Sequence, residues 1–311
     1  LSHKPTILVI GAGYLGKVVC RIASDAGHQV FAARRSQPSR EESSAMPLVH
    51  WHVMDVLDPV QVREVIGVLA GVARIDAVIY CVSAGAGSVE AYHDAYRHGV
   101  TNVLAALDSV FGSPVQKSDV ALPRFIFVSS TGVYPEDEGQ WLDEFHQIDP
   151  DLLPAAQRAI LEGEALVTAR DGAVVARLSG IYGPGRTRLL TMARALPDPL
   201  IVEEIAWTNR IHVVDGARAL IHLASIECPG HLYCVTDHDP AAQIEVLFWL
   251  RHQLGLPNPS IHFHRDGVPV ASANGLPESN KRIANNFLVS TGFEFNYPTY
   301  REGYAPLCQN Q

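Results

Sequence analysis

The chain lacks several features that would set its class at once. No run of about 18 apolar residues occurs, so a membrane-spanning helix is not expected. The first apolar stretch, Ile7 to Ile10, reads as a core strand and not as part of a signal peptide. Leu1 in place of methionine points to a removed start. The five cysteines are odd in number and none forms C-x-x-C. Reduced, buried thiols in a cytoplasmic protein are the simplest reading, and a disulfide framework is not. Basic residues are outnumbered, with 24 Lys and Arg against 33 Asp and Glu and a formal net charge of −9. No basic stripe with interleaved aromatics appears, so nucleic acid is not an expected partner. Lysine is scarce: Lys4, Lys17, Lys117 and Lys281 are all there are.

What is present belongs to a folded chain. Apolar residues make up 47% of the 311 and charged residues 18%, enough for a large core. Short apolar, β-rich runs alternate with helical periodicity through the first 235 residues or so. Strands are predicted at Thr6–Ile10, Gln29–Ala33, Leu48–Val53, Ala77–Val82, Phe125–Ser129, Ala173–Leu178 and His231–Val235. Helices are predicted at Leu15–Ala26, Pro59–Ala70, Ala91–Ser109, Ala155–Arg170 and Asp215–Ser225. Such alternation implies parallel pairing and an α/β, doubly wound sheet. The run DAVIYCV, apolar throughout after its aspartate, suits a strand covered on both faces. Ser36–Ser44 reads as a mobile surface loop. Beyond Asp237 one helix is clear, Ala241–Leu254, followed by glycine-, proline- and aromatic-rich segments. The expected organisation is a dinucleotide-binding domain over 1–180, rejoined by 209–235. A small substrate lobe is made of 181–208 and 236–311.

The strongest local signal is TILVIGAGYLGKVV. Gly11, Gly13 and Gly16 form G-x-G-x-x-G between a strand and a helix. The first permits a tight turn, the second lets backbone amides approach a pyrophosphate, and the third lets helix and strand pack closely. With Tyr14 and Leu15 at the helix start, this is the candidate cofactor loop, where oriented N–H groups favour an anion. About 20 residues on, at the end of the second strand, an NAD site usually carries an acid. Here the sequence is VFAARRS, and Arg34 and Arg35 stand there instead. A guanidinium suits a 2′-phosphate, so NADP is the expected cofactor, with NAD left open; two solvated arginines are the competing reading. Asp55, after the third strand, can meet an adenine amine or cap its own turn.

Further segments resemble a known family. Phe125–Tyr134 reads FIFVSSTGVY, Ala176–Arg186 reads ARLSGIYGPGR and Asn209–Asp215 reads NRIHVVD. In order and approximate spacing, from Ile7 to at least Val235, these resemble the short-chain dehydrogenase/reductase superfamily. The branch they resemble is the extended, NAD(P)-dependent epimerase/dehydratase-like one. The resemblance implies a Rossmann-type doubly wound parallel sheet with a small C-terminal substrate lobe. It implies that Ser130 stands at the catalytic serine position and Tyr182 near the nicotinamide end, which makes Ser130 and Tyr182 the candidate catalytic residues; Tyr182 or Tyr134 could supply a proton, or each could be a packing aromatic. Cys81, Val82, Ser83 and Ser129 fall where cofactor is lined. Thr131, Tyr134, Asn209 and Arg210 fall where substrate is held. Aligned on His212 and Asp215, however, the family's diphosphate-binding arginine falls at Thr208. A homodimer is implied because relatives pair through helices of this domain.

The sequence also departs from that family. Its chemistry needs Y-x-x-x-K on one helix, a phenol acid/base beside a lysine. None of the ten tyrosines has a lysine four residues later. With Glu164 aligned on the family's glutamate, Ala156 and Ile160 occupy those two positions. This matches atypical short-chain dehydrogenases, which keep the glycine loop but lack active-site residues. The GLPESNKRIANNFLVSTGFEFNYPTYREGY tail resembles theirs. Two readings follow. One is an NADP-linked oxidoreductase or epimerase acting on a hydroxyl, carbonyl or sugar-nucleotide-like small molecule with a different proton donor. The other is a non-catalytic NADP-binding sensor or scaffold. Secondary candidates are Asp143 and Glu144 for a substrate hydroxyl, or as a solvated pair. Lys281 and Arg282 could meet an anion or simply solvent, and His212 reads as a packed histidine. HWH at 50–52 and HFH at 262–264 could each place two ligands on one face, but no third is suggested, so no metal is expected.

Overall fold

A computed structural model describes residues 4–85, 87–112, 122–136, 138–202, 205–227, 230–263 and 280–309. Cys228, His264, Lys117 and the start of the GLPESNKR segment lie outside these. Among the described residues seven strands make one sheet. They are β1 Ile7–Ile10, β2 Val30–Arg34, β3 Val49–Val53, β4 Ala77–Tyr80, β5 Arg124–Ser130, β6 Val174–Leu178 and β7 Leu232–Val235. The order across the sheet is β7-β6-β5-β4-β1-β2-β3. β1 pairs in parallel with β2 (Ile7 opposite Val30) and with β4 (Ile7 opposite Ala77). All four residues of β1 and of β4 are buried, as apolar strands covered on both faces must be. The strand order reverses between β1 and β4, the point at which such sheets open a crevice beyond their carboxyl ends.

The helices beside the sheet follow from apolar spacing and caps. In α1, Tyr14–Asp25, the buried residues Leu15, Val19, Cys20 and Ala23 line one face. The Pro59–Val72 helix starts with proline, and the Asp58 carboxylate accepts from Val60 N and Gln61 N at 3.0 and 3.1 Å. One expectation is corrected here. Half of the anticipated Ser36–Ser44 loop is helix, Arg40–Ala45. A capping box explains it: Ser39 Oγ accepts from Glu42 N, while Glu42 Oε2 accepts from Ser39 N.

Residue contacts divide the chain into two units. The first is Leu1–Val133, Ile148–Arg177 and Gly216–Tyr233; the second is Tyr134–Gln147, Leu178–Asp215 and Cys234–Gln311. Among its described residues the second unit holds four short strand pairs. One sets Gly180–Tyr182 parallel to Arg210–His212; another sets Gln140–Leu142 parallel to Lys281–Ile283. Its core gathers Tyr182, Leu190, Val246, Leu247, Leu250, Tyr300 and Tyr304. The expected helix is present as Gln243–Gln253. The tail that follows also folds into Asn286–Ser290 and Tyr300–Gln309, which the sequence reading did not anticipate. The last of these contains Pro306, which argues against helix in sequence. Its first turn is nonetheless fixed by Thr299, whose hydroxyl accepts from Arg301 N and whose N–H donates to Glu302 Oε2.

Candidate functional site

The glycine turn leaves β1 through backbone alone. Gly11 has φ +89°, and a Cβ there would lie 2.6 Å from Val82 N, so only glycine fits both the turn and the close approach. A Cβ on Gly16 would lie 2.5 Å from Gly11 O, so that residue sets how closely α1 packs. Gly13 differs: its nearest neighbour to a built Cβ is 4.0 Å away. The protein leaves that space open, directly before the first turn of α1. Gly13 is also the N-cap and contributes no side chain to that turn, so its amides and the positive end of the helix are unclaimed by any cap. These features fit a pyrophosphate.

The adjoining cleft has a volume of about 460 Å³. Gly11, Gly13, Arg34, Arg35, Asp55, Cys81, Val82 and Ser83 all line it. Tyr14, Leu15 and Gly16 belong to α1 behind it. The Asp55 carboxylate accepts from Leu57 N at 3.0 Å and so caps its own turn while facing the cleft. Desolvation pushes the Cys81 thiol up, so it lines the wall as a neutral group. Asp94 and Ala95 also line the cleft. They come from a wide helical turn, Asp94–His98, where the buried Tyr80 hydroxyl donates to Ala95 O at 2.6 Å.

The two arginines at the end of β2 separate in role. Arg34 donates to Ser36 O at 2.8 Å, to Gln37 O at 2.9 Å and to both oxygens of Glu42 at 3.1 and 3.3 Å. Lys17 adds a bond to Glu42 at 2.8 Å. Together with Lys17, the Ser39 amide and Arg34 hold the Glu42 carboxyl down at about 2. Arg34 is therefore a strut within the chain. Arg35 is exposed on the cleft wall and pairs with no described residue. Sequence reading missed Glu42, although Ser39-x-x-Glu42 carried the signal.

The serine loop after β5 is mostly committed to structure. Ser129 donates to Glu164 Oε1 at 2.5 Å, and Glu164 is held by Arg177 at 2.6 and 2.9 Å, all three buried. Ser130 is half-buried, and its hydroxyl accepts from Gly132 N at 3.0 Å. Thr131 is buried in the short helical turn Thr131–Val133. The neighbouring helix, Ala155–Thr168, carries the methyl of Ala156 and the buried side chain of Ile160. Neither can move a proton.

The second unit has its own cavity, about 550 Å³, lined among others by Tyr182, Asn209 and Arg210. Tyr182 is buried and stacks on Tyr304 with ring centroids 4.3 Å apart. Desolvation pushes its phenol well above its ordinary range, so it keeps its proton. Both ends of the Asn209 amide are spent on the tail strand: Nδ2 donates to Lys281 O at 2.9 Å and Oδ1 accepts from Ile283 N at 2.8 Å. Tyr134 is buried and donates to Asp143 O at 2.7 Å. His212, pushed down to about 4 by burial, packs as a neutral ring 3.8 Å from Tyr297. Lys281 is buried and donates to Tyr134 O, whereas Arg282 lies over the rings of Trp141 and Trp207. Glu144 accepts from Cys234 N at 2.6 Å. His50 and His52 pack on Phe31. Among the described residues no group of three or more His, Cys, Asp or Glu is arranged to hold a metal, and no helix is long and apolar enough to cross a membrane.

Known proteins align with this architecture over nearly its whole length. A family model described as the NAD dependent epimerase/dehydratase family matches residues 7–232. A 2-alkyl-3-oxoalkanoate reductase of Stenotrophomonas maltophilia is 28% identical, covering 95% of this chain and 93% of its own. A solved candidate NAD-dependent epimerase/dehydratase of Methylobacillus flagellatus is 30% identical, with TM-score 0.74 and 99% of each chain covered. A dTDP-glucose 4,6-dehydratase of Bacillus anthracis, solved with NAD, shares the fold at TM-score 0.74 but only 16% identity, over 98% of this chain and 96% of that one.

Proposed function

The chain belongs to the NAD dependent epimerase/dehydratase family, and on that premise we propose that it is an NADPH-linked oxidoreductase acting on a hydroxyl or carbonyl compound without a Tyr-Lys pair. Family membership and the reductase relative support an NAD(P)-dependent oxidoreductase or epimerase in general. The narrower reading rests on one observation: the open space at Gly13 continues into a cleft on whose wall Arg35 is unpaired. In this reading the α1 amides hold the pyrophosphate and Arg35 meets a 2′-phosphate. Asp55 faces the adenine, and Cys81, Val82 and Ser83 line the wall beyond. When bound, the cofactor supplies or accepts a hydride. Ser130, whose hydroxyl proton is not used on Gly132, is the group assigned to a substrate oxygen. With Ala156 and Ile160 in place of an acid/base pair, the proton is exchanged with solvent.

A second reading has support in the same helix. A site with no proton-moving pair suits a protein that binds NADPH as a sensor or scaffold. One experiment separates the two: NADPH and NADH titration by fluorescence, followed by cofactor oxidation against a carbonyl panel. The reductase relative makes 3-oxo acids the first panel members, with sugar nucleotides next. Turnover supports the enzyme; tight NADPH binding with no turnover across the panel supports the sensor. A homodimer goes with either reading. Val60, Val68 and Val72, exposed on the Pro59–Val72 helix of the first unit, would be covered by it, and sedimentation equilibrium checks it.

A further inference from the structure

The first unit carries two imidazoles whose nitrogens no described residue uses. β3 is the last strand in the order of the large sheet, so one of its edges is unpaired among the described residues. His50 and His52 lie two apart on it and therefore share a face. The contacts agree. Both rings pack on the ring of Phe31 in β2, with centroids 5.3 and 6.0 Å away. Trp51, between them, faces the other way, where the Arg34 guanidinium lies 5.6 Å from its ring.

Other histidines of the chain are tied to a partner. His28 Nδ1 meets Pro5 O at 2.9 Å, His98 Nδ1 meets Asp94 Oδ1 at 3.1 Å, His238 Nδ1 meets Asn285 Nδ2 at 3.1 Å, and His146 meets Glu136. The ring nitrogens of His50 and His52 make no hydrogen bond or ion pair with a described residue. His50 is exposed and His52 half-buried. Burial, and then the neighbouring His50, hold down the protonated form of His52, so it presents a neutral ring at neutral pH, the form that binds metals. Phe31 is buried and fixes both rings from one side, which lowers the side-chain entropy that binding would cost.

We propose that His50 and His52 form a two-imidazole site for a divalent transition-metal cation of the copper and zinc kind. Residues two apart on a strand are separated by about 6.6 Å. That spacing lets one nitrogen of each ring meet a single ion at about 2.0–2.1 Å. The donor set selects the ion. Mg²⁺ and Ca²⁺ require oxygen ligands, whereas imidazole suits copper, nickel and zinc. The sequence-based expectation of no metal assumed a third side-chain ligand, and among the described residues none is arranged to serve. A chelate of two does not need one: water fills the remaining positions at the open sheet edge. This site stands apart from the nucleotide reading and goes beyond it.

The test is calorimetric titration of the full chain, without nucleotide, using Cu²⁺, Zn²⁺ and Mg²⁺ against the wild type, His50→Ala and His52→Ala. Cu²⁺ is expected to bind, Zn²⁺ more weakly, and Mg²⁺ not at all. Each substitution should weaken Cu²⁺ at least about tenfold, because the second imidazole binds intramolecularly and its advantage is lost. Electron paramagnetic resonance of the Cu²⁺ complex should show two coordinated imidazoles in the wild type and one in each variant. Absence of Cu²⁺ and Zn²⁺ binding in the wild type overturns the proposal. So does binding that either substitution leaves unchanged, since the ion is then held elsewhere, and so does Mg²⁺ bound as tightly as Cu²⁺. If His52→Ala does not fold, the exposed His50→Ala and the wild-type spectrum still decide. Failure to bind NADPH strikes the cofactor reading and leaves this site standing, whereas failure to bind Cu²⁺ strikes this proposal alone.

Discussion

The cleft of the first unit and the cavity of the second are both lined by arginine, and they treat that charge in opposite ways. In the first, Arg34 is neutralised by Glu42 through two hydrogen bonds, and the arginine left unpaired, Arg35, is exposed to solvent. The recognition surface itself is backbone, made by Gly11, Gly13 and the start of α1. In the second, the surface is side chain, and Arg210, Tyr182 and Gln243 keep buried polar atoms without partners. The lesson concerns what each kind of site can be selected for. A backbone site can be rigid before a ligand arrives, with its free amides exposed to water. A side-chain site of buried donors is satisfied only by its ligand.

The most forceful way to break this comparison is to unpair a charge in each unit. Glu164→Gln leaves Arg177 buried without its counter-charge and should cost about 3–5 kcal/mol. Arg210→Met removes a charge already unpaired and should be neutral or stabilising. Urea denaturation of the two variants measures both. Equal losses would mean that Arg210 is satisfied in a way the geometry does not show.

Glycine substitutions probe the backbone site. Gly11→Ala meets Val82 N and a left-handed φ, so it should lower stability by about 2–3 kcal/mol and abolish nucleotide binding. Gly13→Ala meets no protein atom closer than 4.0 Å. It should leave the melting temperature nearly unchanged yet weaken NADPH on the order of a hundredfold, because the methyl group takes the phosphate's space. If both variants bind normally, the cradle is not a nucleotide site.

The arginine pair sharpens the comparison further. Arg35→Ser should reduce the preference for NADPH over NADH by about tenfold or more without changing stability. Arg34→Ser should cost about 1 kcal/mol of stability, through the lost loop bonds, and change the preference less. The reverse result would make Arg34 the phosphate ligand and Glu42 a displaceable partner.

The smallest effect is a pH dependence. Asp237 has a folded pKa of about 8, far above its unfolded value. Between these values the folded state binds the extra proton, so stability falls as pH rises. His212, at about 4 when folded, acts in the opposite sense below about 6.5, its unfolded value. Asp237 therefore acts alone from about pH 6.5 to 8. Asp237→Asn should remove a decline of at most about 2 kcal/mol over that window. Denaturation curves at pH 6.5 and 8 would show it, and an unchanged slope would place the proton elsewhere.

Much of the fold was legible because its signals are local. All seven sheet strands coincide with predicted apolar runs to within a residue or two, as do the helices with clear apolar periodicity. Two of the helices outside that pattern, Arg40–Ala45 and Tyr300–Gln309, carry a different local signal. Ser39-x-x-Glu42 and Thr299-x-x-Glu302 are both capping sequences, one in a serine-rich stretch and one ahead of Pro306. The candidate sites divide along the same line. The glycine turn is written in consecutive residues, and its geometry follows from them. The tie of Arg34 to Glu42 depends on a helix that periodicity alone does not show. The convergence of Tyr182, Arg210 and Gln243 joins two paired strands and a helix start up to 61 residues apart in number, and no sequence motif spans that. Asn209 and Ser129 show the converse. Both stand at aligned family positions, yet their side chains are spent on holding the chain together.

The central claim is that the glycine cleft holds NADPH, with the 2′-phosphate on Arg35. Fluorescence titration of the wild type and Arg35→Ser with NADPH and NADH tests it directly. The account predicts tight NADPH binding, weaker NADH binding, and a preference that largely disappears in the variant. Equal affinity of the wild type for the two cofactors, or binding of neither, would contradict it.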